Sequence, residues 1–399
     1  MPHGHAHDGP SITPSLSAVR LLTALAVAGA LATLVGLVLL RPTGEVSEEL
    51  AQVSSVGVEY DATVEGADLG TCSGTGDEPV EGDALCRNVT VRLLEGPDEG
   101  RTRLLLLPDS PSTPHVFRGD KVTLAYHENA QEGFDYSFLD RQRKPALFWL
   151  ALVFGLAVVA LGRLRGFAAL VGLAITLVVL LAFVLPAIVD GRSPVLVAIV
   201  GSAAISFVTL YLAHGLTHRT TTALLGTLSS LALTALLAQF FVGLAKISGF
   251  ATDEAILLNV GSQVIDIGGL VLAGVIIGGL GALDDVTVTQ SSAIWELRGA
   301  NPSLGVRELF RSGLRIGRDH IASTVNTLLL AYAGASLPLL LFFLTSQQSL
   351  TSIANQEIVA TEIVRTLVGS IGLVCSVPIT TWLAALVAST TKAAPPEAS

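Results

Sequence analysis

Asp284 and Asp285 stand side by side at the end of a long apolar run that opens at Ile265. Carboxylates beside so many apolar residues are the groups here best suited to bind or move an ion. Asp285, Thr289, Ser292 and Glu296 follow at intervals of four, three and four, which places them on one helix face if the helix continues. A helix C-terminus favours cations, so the paired acids require either continuation of the helix or an arginine partner. Arg311, Arg315 and Arg318, at near-helical spacing, are the available guanidiniums, and Asp319 and His320 follow them directly. Two readings stand: acids and arginines paired at a membrane surface, or an ion or proton site where Asp285 and Asp319 bind and Arg318 holds one of them ionised.

Other polar residues offer weaker chemistry. Thr220, Thr227, Ser230 and Thr234 share one helix face, and Gly369, Ser376 and Thr380 share another; such hydroxyls join helices more often than they line a wet path. Gly274 and Gly278 have the spacing that lets helix backbones approach closely, with a glycine-lined path as the second reading. His3, His5 and His7 lie in a tail, and His214 and His218 lack a third ligand, so no metal is expected. No phosphate-binding loop, nucleophile elbow, zincin helix or paired Cys-x-x-Cys occurs. The expectation is a protein that is not an enzyme, holds no cofactor and binds no nucleic acid.

The elements that must position these residues are membrane helices. In 399 residues the hydrophobic share is 51% and the charged share 14%, more apolar side chain than one soluble core can hide. Runs near the roughly 20 residues needed to cross a bilayer lie at Val19 to Leu40, Ala146 to Leu161, Phe167 to Ile188, Val195 to Ala213, Thr222 to Leu244, Ile265 to Leu283, Ile321 to Leu344 and Ile363 to Ala388. Arginine and lysine in the short loops place both ends of the chain in the cytoplasm. The first run continues past the small residues Ala28 to Ala32, so it reads as a retained anchor.

Between Arg41 and Arg143 the composition is that of a soluble domain, with twenty Asp and Glu against nine Arg and Lys. Alternation at Val89, Val91 and Leu93, and at Val122 and Leu124, predicts strands with one buried face. With runs at Val56 to Val64, Arg101 to Leu107 and Phe134 to Leu139, five or so strands are expected, in a small all-β barrel or sandwich. Cys72 and Cys86 flank an acidic glycine-rich loop there, and an exported compartment favours a disulfide between them. The predicted organisation is a tail (1–18), an anchor helix (19–40), an extracytoplasmic β domain (41–145), a seven-helix transmembrane bundle (146–390) and a second tail (391–399).

The stretch Gly281 to Gln290 with Ser291, Ser292 and Glu296, the run Gly317-Arg318-Asp319-His320, and Thr324 to Leu328 leading into Ala331 to Pro338 resemble the YibE/F family of bacterial membrane proteins. The resemblance covers about Gly57 to Thr390. It implies a multipass plasma-membrane protein with an N-terminal extracytoplasmic segment, and it carries no activity to transfer. A small or apolar residue is expected before the aspartate, where this chain has Asp284 beside Asp285, so which acid matters stays open. The combined reading assigns a pathway to Asp284, Asp285, Thr289, Gln290, Glu296, Arg318, Asp319 and Asn326. The expected partners are the lipid bilayer and an ion or small solute moved by a secondary transporter or permease. The alternative is an envelope scaffold or sensor whose outer domain binds a protein, and oligomeric state is left open.

Overall fold

The computed structural model describes residues 14–43, 57–71, 85–111, 113–128, 130, 135–261, 265–346 and 348–390. The chain divides into two compact units, one of Ala51–Leu161 and one of Met1–Leu50 with Gly162–Ser399.

The first unit is built on five antiparallel strands, β1 (Val58–Thr71), β2 (Leu85–Leu93), β3 (Thr102–Pro108), β4 (Lys121–Tyr126) and β5 (Tyr136–Arg141), in the order β3-β2-β1-β4-β5. Alternate residues point to one side, so Ala62, Val64, Val89, Val91, Leu93, Leu105, Leu107, Val122, Leu124 and Tyr136 meet in a single core. β1 runs seven residues past the expected Val64. A bulge between Val64 and Gly66 bends it, so that its first half pairs with β4 and its second with β2.

The sheet curls into a half-barrel whose edges meet through charge and ring contacts. Arg103 of β3 lies 5.9 Å from the Tyr136 ring centre of β5 and 2.7 Å from Asp98, while the Tyr136 hydroxyl donates to Asp98 at 3.4 Å. The Arg103 guanidinium holds the Asp98 carboxyl below the usual carboxylate range, and burial pushes the Tyr136 phenol up to about 12. Gly96, with φ +99°, closes the turn after β2 against the face of Tyr60; a Cβ there would lie 2.9 Å from the ring. Cys86 is buried and disulfide-bonded, whereas Cys72, its expected partner, lies outside the described residues.

The helices are α1 (Leu16–Leu39), α2 (Lys144–Val179), α3 (Leu185–Val189), α4 (Pro194–His214), α5 (His218–Leu244), α6 (Asp253–Gly261), α7 (Ile267–Ala300), α8 (Val306–Ala335), α9 (Leu337–Thr345), α10 (Leu350–Ala354) and α11 (Glu357–Ser389). Six stretches are long and apolar enough to cross a membrane, and the pair α8 and α9, bent by 64°, makes a seventh if counted as one. One of the six, Lys144–Val189, has 46 residues, enough at 1.5 Å per residue for about 69 Å of helix, more than twice a hydrocarbon core of about 30 Å. It is interrupted at Arg163, whose φ of 51° is not helical, between the two runs separated in the sequence. Further along, a π-turn at Leu180–Val184 precedes Pro186, whose ring would clash with the carbonyl four residues back in a regular helix. Pro338 coincides with the bend between α8 and α9, while Pro378 stays inside an uninterrupted α11.

Helices α5, α7 and α11 form the packed centre of the second unit. Glycine makes this possible at two reciprocal places. A Cβ on Gly226 of α5 would lie 2.3 Å from Thr380 of α11, and one on Gly372 of α11 would lie 2.0 Å from Thr234 of α5. Numbers rise on one helix as they fall on the other, so the two run antiparallel with a threonine seated on each glycine. Where α7 and α11 end and α8 begins, Ile294, Trp295, Leu309, Ala384, Ala385 and Ala388 form an apolar cluster. Buried Arg298 ties it together by donating to the carbonyls of Leu304 at 2.7 Å and Ser389 at 3.3 Å.

Candidate functional site

Helix α7 begins at Asp266, whose carboxylate accepts the Gly269 amide at 2.9 Å, and runs without proline or break for 34 residues. Continuation of the helix, one of the two conditions set by the paired acids, is therefore met. Asp284 and Asp285 lie midway along it, and no arginine is bonded to them among the described residues.

Being adjacent, the two acids point about 100° apart. Asp284 turns toward α4, where Ser206 donates to its two oxygens at 3.1 and 3.5 Å, and Thr209 and Thr227 also present hydroxyls to it. Thr227 in turn shares a hydrogen bond of 2.7 Å with Thr287 of α7. A cavity of about 240 Å³ opens here between α2, α4 and α7, lined by Gly172, Thr176, Thr209, His214, Asp284 and Asp285 among others. Asp285 is 69% exposed at its side chain and points toward α8, with His320 at 3.7 Å.

The face of α7 that carries Asp285 also carries the glycines. The atoms nearest a Cβ on Gly274 belong to the Arg365 guanidinium, at 3.5 Å, and the Tyr332 hydroxyl would lie 2.5 Å from one on Gly278. Around Gly281 nothing comes within 4 Å. These glycines therefore admit polar side chains, where their spacing favoured close backbones. Arg365 is itself paired with Glu362 at 2.7 Å.

The remaining predicted residues separate into three groups. Gln290 is fully buried between α7 and α11, accepting from Thr381 at 2.9 Å and lying against Gly317 of α8. Thr289 returns its hydroxyl to the Asp285 carbonyl at 2.8 Å, and Glu296, 72% exposed, pairs with Arg219 at 2.6 Å. Arg318, Asp319 and Asn326 are exposed on α8, and none of them is bonded to either acid among the described residues. Among the described residues the ionisable neighbour of Asp285 is His320, at 3.7 Å, and none of Arg311, Arg315 and Arg318 pairs with it.

Sequence reasoning missed Ser206, Thr209, Glu362 and Arg365. Ser202 and Ser206, four apart in an otherwise apolar run, and two charges three apart at the start of the last run, were the available signals. The stripe of Thr220, Thr227, Ser230 and Thr234 is buried, and its Thr227 joins α5 to Thr287 of α7.

Chemically, one carboxylate ringed by hydroxyls can hold a proton or a hard cation, because a hydroxyl either donates to the carboxylate or turns a lone pair to the ion. No group of three His, Cys, Asp or Glu able to hold a metal occurs among the described residues. Comparison with curated proteins and with solved structures finds no match. Six apolar helices of membrane-crossing length mark an integral membrane protein. Residues 150–390 match a family model described as YibE/F-like protein, more than half of the chain, and the protein belongs to that family.

Proposed function

We propose that this protein is a secondary transporter or permease for an ion or small solute in the bacterial plasma membrane, with Asp284 as its ion- or proton-binding carboxylate. The observation that carries the reading is the placement of Asp284, in mid-helix, bonded to Ser206 and open to a cavity of about 240 Å³. Packing alone gives no reason to keep a carboxylate at that depth, since desolvation there is costly. Asp285 and His320 form the neighbouring station on the α8 side.

The proposed topology counts Lys144–Val189 as two crossings meeting at Arg163 and α8 with α9 as one broken crossing, which with α1, α4, α5, α7 and α11 gives eight. Arg163, Arg165, Arg219, Arg298 and the arginines of α8 then share the cytoplasmic side with both chain ends, as positive charge requires.

The test is flux into liposomes containing the purified full-length protein, followed with a pH-sensitive dye and with radioactive sodium. Asp284→Asn keeps the shape and removes the charge, so flux of the transported ion should drop at least tenfold while Asp319→Asn keeps it. Wild-type flux in Asp284→Asn would refute the assignment. A second reading, an envelope scaffold whose β unit binds a protein, is favoured by exposed Leu69, Leu85, Leu104 and Phe117. It gains if deletion of the β unit loses a crosslinked partner and wild-type liposomes carry no flux.

A further inference from the structure

Arg318, Asp319 and Asn326 have no task in the site described above. All three are exposed on α8, as are Ser323 and Leu330, which with Asp319 and Asn326 recur at intervals of four, three and four on one side, while Arg318 stands about 100° round the helix from Asp319. Thr327 satisfies its own hydroxyl by returning it to the Ser323 carbonyl at 3.0 Å. The Asn326 side chain has no such local partner among the described residues, and it lies seven residues beyond Asp319, about 10 Å deeper along the helix. With α8 and α9 crossing the bilayer, that amide faces hydrocarbon, where an unpaired polar group costs several kcal/mol in a fully apolar medium. We infer that this face of α8 packs against the α8 of a second copy, making the protein a two-fold symmetric dimer.

The second copy is favoured over another partner because the face complements itself. Two copies inserted in the same direction share an axis along the membrane normal, so equal depths meet. Asn326 then opposes Asn326, and a primary amide both donates and accepts, so each satisfies the other. About two turns nearer the surface, Arg318 of each copy meets Asp319 of the other. A surface that offers both charges at the same height pairs with its own image. Hydrogen bonds between asparagines across membrane helices hold such pairs together. The inference depends on α8 crossing the bilayer and is independent of whether the protein transports anything.

The test uses the full-length protein in liposomes at low protein-to-lipid ratio, read by single-molecule photobleaching and by oxidative crosslinking. Asn326→Cys should crosslink as a dimer, whereas Leu173→Cys, exposed on α2, should not. Asn326→Leu should weaken association about tenfold. Arg318→Asp and Asp319→Arg should each weaken it, and the two together should restore it, since the swap recreates both pairs. Thermal unfolding checks that each variant is folded, and if Asn326→Leu fails to fold, the charge swap still decides the matter. A monomeric wild type, or a double swap no better than its single variants, would overturn the proposal.

Discussion

Replacing Gly372 by alanine tests the packing of α5 against α11. The new methyl would lie 2.0 Å from the Thr234 hydroxyl oxygen, 3.2 Å from its Cβ and 3.5 Å from its Cγ2. Thr234 cannot turn aside cheaply. It is fully buried, and its hydroxyl donates to the Ser230 carbonyl at 2.8 Å. Relief requires either that bond, worth about 0.5–1.5 kcal/mol, or a separation of the helices, at about 1–3 kcal/mol for overpacking. Alanine returns up to about 1 kcal/mol through its better helix propensity. The expected net loss is about 1 kcal/mol, and at most about 2 kcal/mol. The assay is reversible unfolding in mixed micelles, followed by the loss of helical circular dichroism. Thr234→Ala removes the clashing oxygen and Cγ2, so the double variant should be more stable than Gly372→Ala alone, by about 1 kcal/mol or more. Gly243→Ala is the control, because nothing lies within 4 Å of its Cβ. If Gly372→Ala equals wild type, or if the two substitutions simply add, then the threonine is not seated on the glycine.

Two further outcomes follow from features away from the site. The folded state keeps the Tyr136 proton to about 12, while an unfolded phenol loses it near 10. The unfolded state therefore binds fewer protons between these values, so stability falls as pH rises from about 10 to 12; Tyr136→Phe should flatten that loss in chemical unfolding of the β unit within the full chain. Arg298→Met should lower stability by about 2–4 kcal/mol, because the carbonyls of Leu304 and Ser389 lose a charged donor. Thermal unfolding in detergent measures it, and a change under about 0.5 kcal/mol, the range of ordinary surface substitutions, would show that the guanidinium is dispensable.

The β strands were legible because alternation is a local signal: Val89, Val91 and Leu93 are buried, as are Val122 and Leu124. β1 was cut short because Glu65 and Asp68, on a strand paired on one side only beyond the bulge, lack an apolar rhythm. For the helices, length and hydropathy located the membrane runs, yet Arg163 takes its irregular backbone inside what is otherwise one continuous helix. At the site, the acids of α7 were found from composition alone. Their partners were not, because Ser206 lies 78 positions from Asp284 and only tertiary packing joins them. The glycine spacing misled for a related reason. It records that space is left over a helix face, and the neighbour that fills it, here Arg365 and Tyr332, is chosen by another helix.

The uninterrupted length of α7 has a mechanical consequence. Its 34 residues make a rod of about 51 Å, with Asp266 closing one end and Arg298 gripping the other. No proline or break divides it, so both acids are carried on one continuous element. They stand about 100° apart around its axis. The acids therefore cannot be moved one at a time: any shift of the rod that changes the contact of Asp284 with Ser206 also changes that of Asp285 with His320.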